Sequence, residues 1–169
     1  MGTEPVSAFV GIRAATPEDV PLIRQLITEL ADYERLADAA VATDTDLLAQ
    51  LFGPHPAAEV LIGEVDGEAA GFALFFHNFS TFLGKRGLYL EDIYVRPQHR
   101  GCGLGKHLMA MLARIAVQRG CGRFEWSVLD WNTDAIGFYR RIGAVGMDAW
   151  TVQRLQGDAL HALAARDEL

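Results

Sequence analysis

One stretch limits what this chain can fold into more than any other. It runs Leu88, Tyr89, Leu90, Glu91, Asp92, Ile93, Tyr94, Val95, breaks at Pro97, and continues as Arg100, Gly101, Cys102, Gly103, Leu104, Gly105, Lys106. The first eight residues are rich in β-branched and aromatic side chains and read as a strand, which Pro97 ends. Three glycines at alternate positions then open a helix. Leu104, Leu108, Leu112 and Ile115 fall on one face of it, and Gly120 closes it. Positions without a side chain let a ligand approach the backbone, and a helix start offers unpaired N–H groups and a partial positive charge. A strand, a glycine turn and a helix start in succession make a phosphate site.

Two familiar phosphate loops are excluded by spacing. A Walker loop needs a glycine five residues before its Gly-Lys pair; Arg100 holds that place, and His107 stands where Ser or Thr is needed. A dinucleotide fingerprint fails because Lys106 or Leu108 occupies its last glycine position. What remains is Arg100-x-x-Gly103-x-Gly105, with Arg96, His99 and Lys106 adding positive character. It resembles the pyrophosphate loop of the GNAT N-acetyltransferases, which hold acetyl-CoA as co-substrate. A glycine turn with no ligand is the competing reading. The coincidence of three glycines, a preceding arginine and an amphipathic helix argues against it.

A chain of 169 residues, half of them hydrophobic, suits a single domain over 1–169, with an ordered core at about 8–166. The net charge of −7 argues against nucleic acid as a partner, since phosphate backbones want a basic face. No apolar run approaches the roughly 20 residues of a membrane span, and no secretory leader is visible. The two cysteines, Cys102 and Cys121, form neither a CxxC pair nor a disulfide framework. A cytoplasmic protein that contacts no membrane is therefore expected. Histidines 55, 77, 99, 107 and 161 show no ligand spacing, so no metal is expected.

Elsewhere the chain alternates element types. Residues 8–15 read as a strand. Thr16 and Pro17 then start a helix, with Val20, Ile23, Leu26, Ile27 and Leu30 on one face to about Arg35. Residues 43–52 suggest a short second helix. Residues 58–65 and 68–77 are strands joined by the hairpin signal Asp66-Gly67, and 78–87 reads as a loop. After the central strand and helix come a strand at 124–129, a turn at 131–134, a helix at 135–141, one or two strands within 144–155, and a terminal helix at 158–166. This order implies an α/β (α+β) fold with a mixed sheet flanked by helices.

A second motif strengthens the resemblance. Asn132, Thr133, Asp134, Ala135, Ile136, Gly137, Phe138, Tyr139, then Gly143-Ala144, is similar to the closing motif of the GNAT superfamily. Across roughly residues 12–163 the chain is closer still to the diamine acetyltransferases, the spermidine/spermine and thialysine group. Ile12-Arg13-x-Ala15-Thr16, Glu29-Leu30-Ala31-x-Tyr33-Glu34, Tyr89-Leu90-Glu91-Asp92 and Trp131-Asn132 carry that match, as does Trp150-x-x-x-Arg154-Leu155. There are departures. Relatives with polyamine acceptors carry an acid and a tryptophan before the Tyr-Leu-Glu-Asp strand. Here residues 80–87 are basic and one residue longer. The segment between Ala144 and Trp150 is shorter, and Glu125 replaces a histidine.

The resemblance implies a mostly antiparallel GNAT sheet and transfer of an acetyl group to a primary amine of a small molecule: a diamine, polyamine or thialysine. A peptide, protein or aminoglycoside acceptor, or a non-catalytic acyl-CoA binder, are the alternatives. The amine is the chemical obstacle. At a pKa near 10.4 it is protonated at neutral pH, and freeing its lone pair costs roughly 4–5 kcal/mol. The roles implied are Glu91 as base, through water, and Tyr139 as general acid toward the departing thiol. Main-chain groups of Ile93, Tyr94 and Val95 would pair with the pantetheine arm. Arg100, Gly101, Cys102, Gly103, Leu104, Gly105 and Lys106 would hold the pyrophosphate. Asn132, Thr133, Asp134, Ala135 and Phe138 would line the coenzyme arm. Tyr33, Glu34, Asp92 and Asp148 would recognise the amine. Strand alternation allows only one of Glu91 and Asp92 to face the substrate, and the resemblance favours Glu91. A homodimer sharing the segment 150–155 is expected on the same basis.

Overall fold

A computed structural model describes residues 8–166. Its contacts divide the chain into two compact units, Met1–Leu129 and Asp130–Leu169.

The first unit is built on a five-stranded sheet in the order β1-β2-β3-β4-β5, formed by β1 (Val10–Ala14), β2 (Glu59–Val65), β3 (Glu68–Ser80), β4 (Lys85–Val95) and β5 (Phe124–Trp126). The first three pairings are antiparallel and β4 with β5 is parallel. This is the mixed, mostly antiparallel sheet that the sequence implied. Helices α1 (Val20–Tyr33), α2 (Asp44–Phe52) and α3 (Leu104–Gln118) cover it.

The two faces follow from the alternation of each strand. Val60, Ile62, Phe72 and Tyr94 point to one face and bury with Val20, Ile23, Leu26 and Leu30 of α1 and Leu47 and Leu51 of α2. Leu61, Ala73, Phe75, Leu88 and Leu90 are buried in alternate register to these. On α3, Leu104, Leu108, Met109, Leu112 and Ala116 are buried, and that helix packs on β2 and β4. Gly63 sets how near α3 begins to the sheet: a methyl group there would meet Leu104 Cδ1 at 2.6 Å.

Three sequence expectations need correction. Residues 78–87 are not a loop: β3 continues to Ser80 and β4 begins at Lys85, leaving a turn of four residues. Cross-strand pairing carries both strands past where the apolar pattern fades, with Asn78 opposite Gly87 and Phe79 opposite Arg86. The strand expected at 124–129 is shorter, since only residues 124–126 find partners on β4. Within 144–155 no residue of the described chain forms a strand. The segment has β-forming residues, but among the described residues none of them pairs with a strand.

The second unit holds α4 (Thr133–Arg141) and α5 (Gly157–Ala164). Asn132 caps α4 by accepting the Ala135 N–H at 3.3 Å. Between the helices, Trp150 and Val152 are 79% and 82% exposed.

Candidate active site

The glycine run forms a loop between β4 and α3, interrupted by a 3-10 turn at Pro97–His99. Gly101 and Gly103 have φ of 86° and 87°, a left-handed backbone that side chains resist. The loop's own side chains satisfy its carbonyl groups. Arg100 Nε donates to Val95 O at 3.1 Å. Cys102 Sγ donates to His99 O at 2.9 Å. His107 Nδ1 lies 2.8 Å from Gly103 O; a carbonyl only accepts, so Nδ1 carries the hydrogen. The N–H groups behave differently. Among the described residues, none of 101–106 donates its backbone N–H to a loop or cap acceptor. The start of a 15-residue helix thus presents a row of unpaired donors at its positive end. That donor set fits an anion of phosphate type.

Arg96 plays no part in this. Its guanidinium grips Glu29 through Nε and Nη2, both at 3.0 Å, and its Nη1 donates to Ala69 O. The sequence counted Arg96 toward the positive loop; the fold commits it to fastening α1 against β4.

Upstream of the loop, β4 changes character at Glu91. Leu90 pairs with Phe75 and Asp92 with Leu74, so Glu91 is an extra residue opposite neither, a β-bulge. Beyond it β4 bonds to β3 on one side only, because the pairing with β5 covers Leu88 to Leu90. Among the described residues no strand pairs with the other edge of Ile93, Tyr94 and Val95, an edge suited to main-chain pairing with an extended ligand.

The bulge also decides what the two acids do. Strict alternation would have turned one of them away, but an inserted residue breaks the alternation. Glu91 is exposed and Asp92 partly buried. Asp92 makes no hydrogen bond or ion pair among the described residues. Burial first, and then the charges of Glu91 and Glu34, push its carboxyl up to about 6. Glu34 belongs to a different element. It is the C-cap of α1, where Leu36 N–H returns to Ala31 O at 2.8 Å around Arg35 at φ 61°. Burial raises its carboxyl too. The charges of Glu34 and Glu91 thus both act on Asp92. Tyr33, the last residue of α1, has its ring under the Arg100 guanidinium at 4.9 Å.

The remaining site residues expected from sequence lie in the second unit. Asn132 is the α4 cap, Thr133, Asp134 and Ala135 form the first turn, and Phe138 and Tyr139 follow with ring centroids 5.6 Å apart. Asp148 is exposed beyond Gly143. Sequence reasoning missed the bulge, the Tyr33–Arg100 contact and the Arg96–Glu29 clasp. Nothing in the residue pattern signals the first. The other two join positions 67 residues apart, which no local signal reaches.

A mixed sheet whose fourth strand is unpaired on one side just before a glycine turn and a helix start is the arrangement expected of the acetyltransferase class. The family model for the acetyltransferase (GNAT) family matches residues 23–144, and the chain belongs to that family. It is similar to an L-ornithine N5-acetyltransferase of Arabidopsis thaliana, 37% identical over 92% of this chain and 88% of the relative. It is equally similar to the thialysine N-epsilon-acetyltransferase of Bos taurus, at 37% identity over 94% and 99% of the two chains. Among solved structures, an integron cassette protein from the mobile metagenome of V. cholerae superposes with a TM-score of 0.78 and 28% identity, covering 93% of this chain and 98% of that one. The protein is thus an N-acetyltransferase, as the glycine loop and the Asn132–Tyr139 motif implied.

Proposed function

We propose that the protein transfers an acetyl group from acetyl-CoA to a primary amine of a small diamine, polyamine, or ornithine- or thialysine-like molecule. The observation that carries this reading is the acidic trio Glu34, Glu91 and Asp92, set at a bulge beside the open edge of β4. A cationic amine meets there a local excess of negative charge, part of it removed from water, where an ion pair is stronger. Relatives named for thialysine and ornithine, both small amines, support the same acceptor class.

Acetyl-CoA would supply an acyl group already activated as a thioester. The donors at residues 101–106 suit its pyrophosphate, with Arg100 and Lys106 adjacent, and the open edge of Ile93 to Val95 suits its amide-bearing arm. The protein's own task is the proton. Glu91 and Asp92 act as a pair in accepting it, with Glu91 passing it through water. A carboxyl held near 6 is a better base near neutral pH than an ordinary one. Tyr139 is the general acid, on the likeness of its motif; a phenol near pKa 10 matches a departing thiol. We also infer a single catalytic domain, a cytoplasmic setting and a homodimer. The exposed Trp150 and Val152 of the second unit support an apolar segment that a second copy covers. Sedimentation of the full chain checks this, and a monomer at working concentration contradicts it.

A thiol-release assay with acetyl-CoA and a panel of diamines, polyamines, ornithine, thialysine and peptides tests the whole reading. Release that depends on a small amine is expected. Bound acetyl-CoA with no release for any amine would make the protein a non-catalytic binder. Tyr139→Phe should lower kcat on the order of 100-fold with coenzyme affinity kept.

A further inference from the structure

Tyr33 ends α1 and Arg100 enters the phosphate loop, yet the guanidinium carbon lies 4.9 Å from the ring centroid. The Nε–H of Arg100 is bound to Val95 O at 3.1 Å, its one hydrogen bond among the described residues. Four N–H groups on the two terminal nitrogens are left over. A ring against the face of a guanidinium uses that face and none of its N–H edges. Arg100 is therefore fixed at two points while its donor fork stays available. A long exposed side chain otherwise loses rotamer freedom when an anion orders it, and one already in place loses less.

We propose that Tyr33 is a positioning residue of the coenzyme site. Its ring holds Arg100 in the pose that meets the pyrophosphate of acetyl-CoA, and it does not recognise the acceptor amine. This assignment rests on the coenzyme reading of the loop given above. It departs from the role that the sequence resemblance implied for Tyr33. It also makes the C-terminal turn of α1 bifunctional: Tyr33 serves the coenzyme, and Glu34, one residue on, serves the amine. The contact with Arg100 is made by the ring, and a phenylalanine supplies the same aromatic face.

The test is calorimetric titration of the full chain with acetyl-CoA, paired with kinetics in which each substrate is varied. Tyr33→Leu should weaken acetyl-CoA binding and raise its KM about threefold to tenfold, with the acceptor KM unchanged. Tyr33→Phe, which keeps the aromatic face, should keep the native affinity for acetyl-CoA. In an Arg100→Met background, Tyr33→Leu should have no further effect on coenzyme affinity. Tyr33→Met serves the same purpose should the leucine variant fail to fold. The proposal is overturned if the acceptor KM alone rises, if coenzyme affinity does not change, or if the loss is as large without Arg100. A native protein that does not bind acetyl-CoA at all defeats the coenzyme reading itself. Native binding with an indistinguishable Tyr33→Leu variant defeats only this inference.

Discussion

Two aspartates of the first unit show opposite solutions to the same chemistry. Asp19 lies in the turn before α1. It accepts from both terminal nitrogens of Arg13, at 2.7 and 2.8 Å, and from the Thr16 N–H at 2.8 Å. The Arg13 hydrogen bonds, foremost, hold its carboxyl down at about 2. Asp92 sits on β4 with no cation and two acids for company, and is pushed up to about 6. One carboxylate has every need met and fastens a helix to a strand. The other is left unsatisfied by its own fold. Groups perturbed in that second way are frequent where catalysis and binding take place. The difference separates construction from function without reference to any relative.

The largest effect should come from removing the unsatisfied charge. Asp92→Asn should lower kcat/KM on the order of 100- to 1,000-fold, and Glu91→Gln should act in the same direction. In the native protein kcat/KM should rise with pH through a limb near 6, as Asp92 ionises. Asp92→Asn should shift or abolish that limb. A pH profile unchanged by the substitution would remove Asp92 from the proton's path and leave the contrast between the two aspartates without functional meaning.

Stability should move the other way. A carboxyl whose folded pKa lies above its unfolded value favours folding below about pH 4. That contribution is lost as pH rises through about 6. Near pH 7 the native protein therefore carries a penalty that Asp92→Asn removes. The gain should reach at most about 3 kcal/mol, less whatever solvent screening returns. Thermal melts at pH 7 and at pH 4 check it: the variant should melt higher at pH 7, with the difference closing at pH 4. An enzyme that is less active and more stable is the signature of a site held under strain.

The same contrast explains what the sequence disclosed. The glycine loop was legible because its backbone demands are local: Gly101 and Gly103 take left-handed conformations at fixed steps in one turn. The core faces of α1 and α3 were legible because burial imposes a period on Ile23, Leu26 and Leu30, and on Leu104, Leu108 and Leu112. The Thr16–Asp19 turn was legible as a helix start for the same reason. The acid site was half legible. Glu91 and Asp92 could be named, but the expectation drawn from them assumed unbroken alternation, and β4 carries a bulge opposite Leu74 and Phe75. Register shifts depend on how two distant strands close, and neither strand records that alone. The long β3–β4 hairpin was misread for a related reason: Asn78 and Phe79 owe their strand conformation to Gly87 and Arg86, not to their own pattern.

The smallest effect belongs to the satisfied aspartate. Asp19 is depressed, so its contribution is present above about pH 4 and lost as pH falls through about 2. The Asp19 side chain is 12% exposed but that of Arg13 is 41%, and solvent discounts the pair. Asp19→Asn should cost about 1–2 kcal/mol at neutral pH, partly through the lost Thr16 contact. The loss should appear as a lower melting temperature, with kcat/KM unchanged for the folded fraction. The gap from native should narrow as pH falls from 4 toward 2, the reverse of the dependence expected for Asp92→Asn. If instead Asp19→Asn impaired turnover as strongly as Asp92→Asn, a well-paired carboxylate would be serving the reaction. The division between fastening and function would then have to be drawn somewhere else in the molecule.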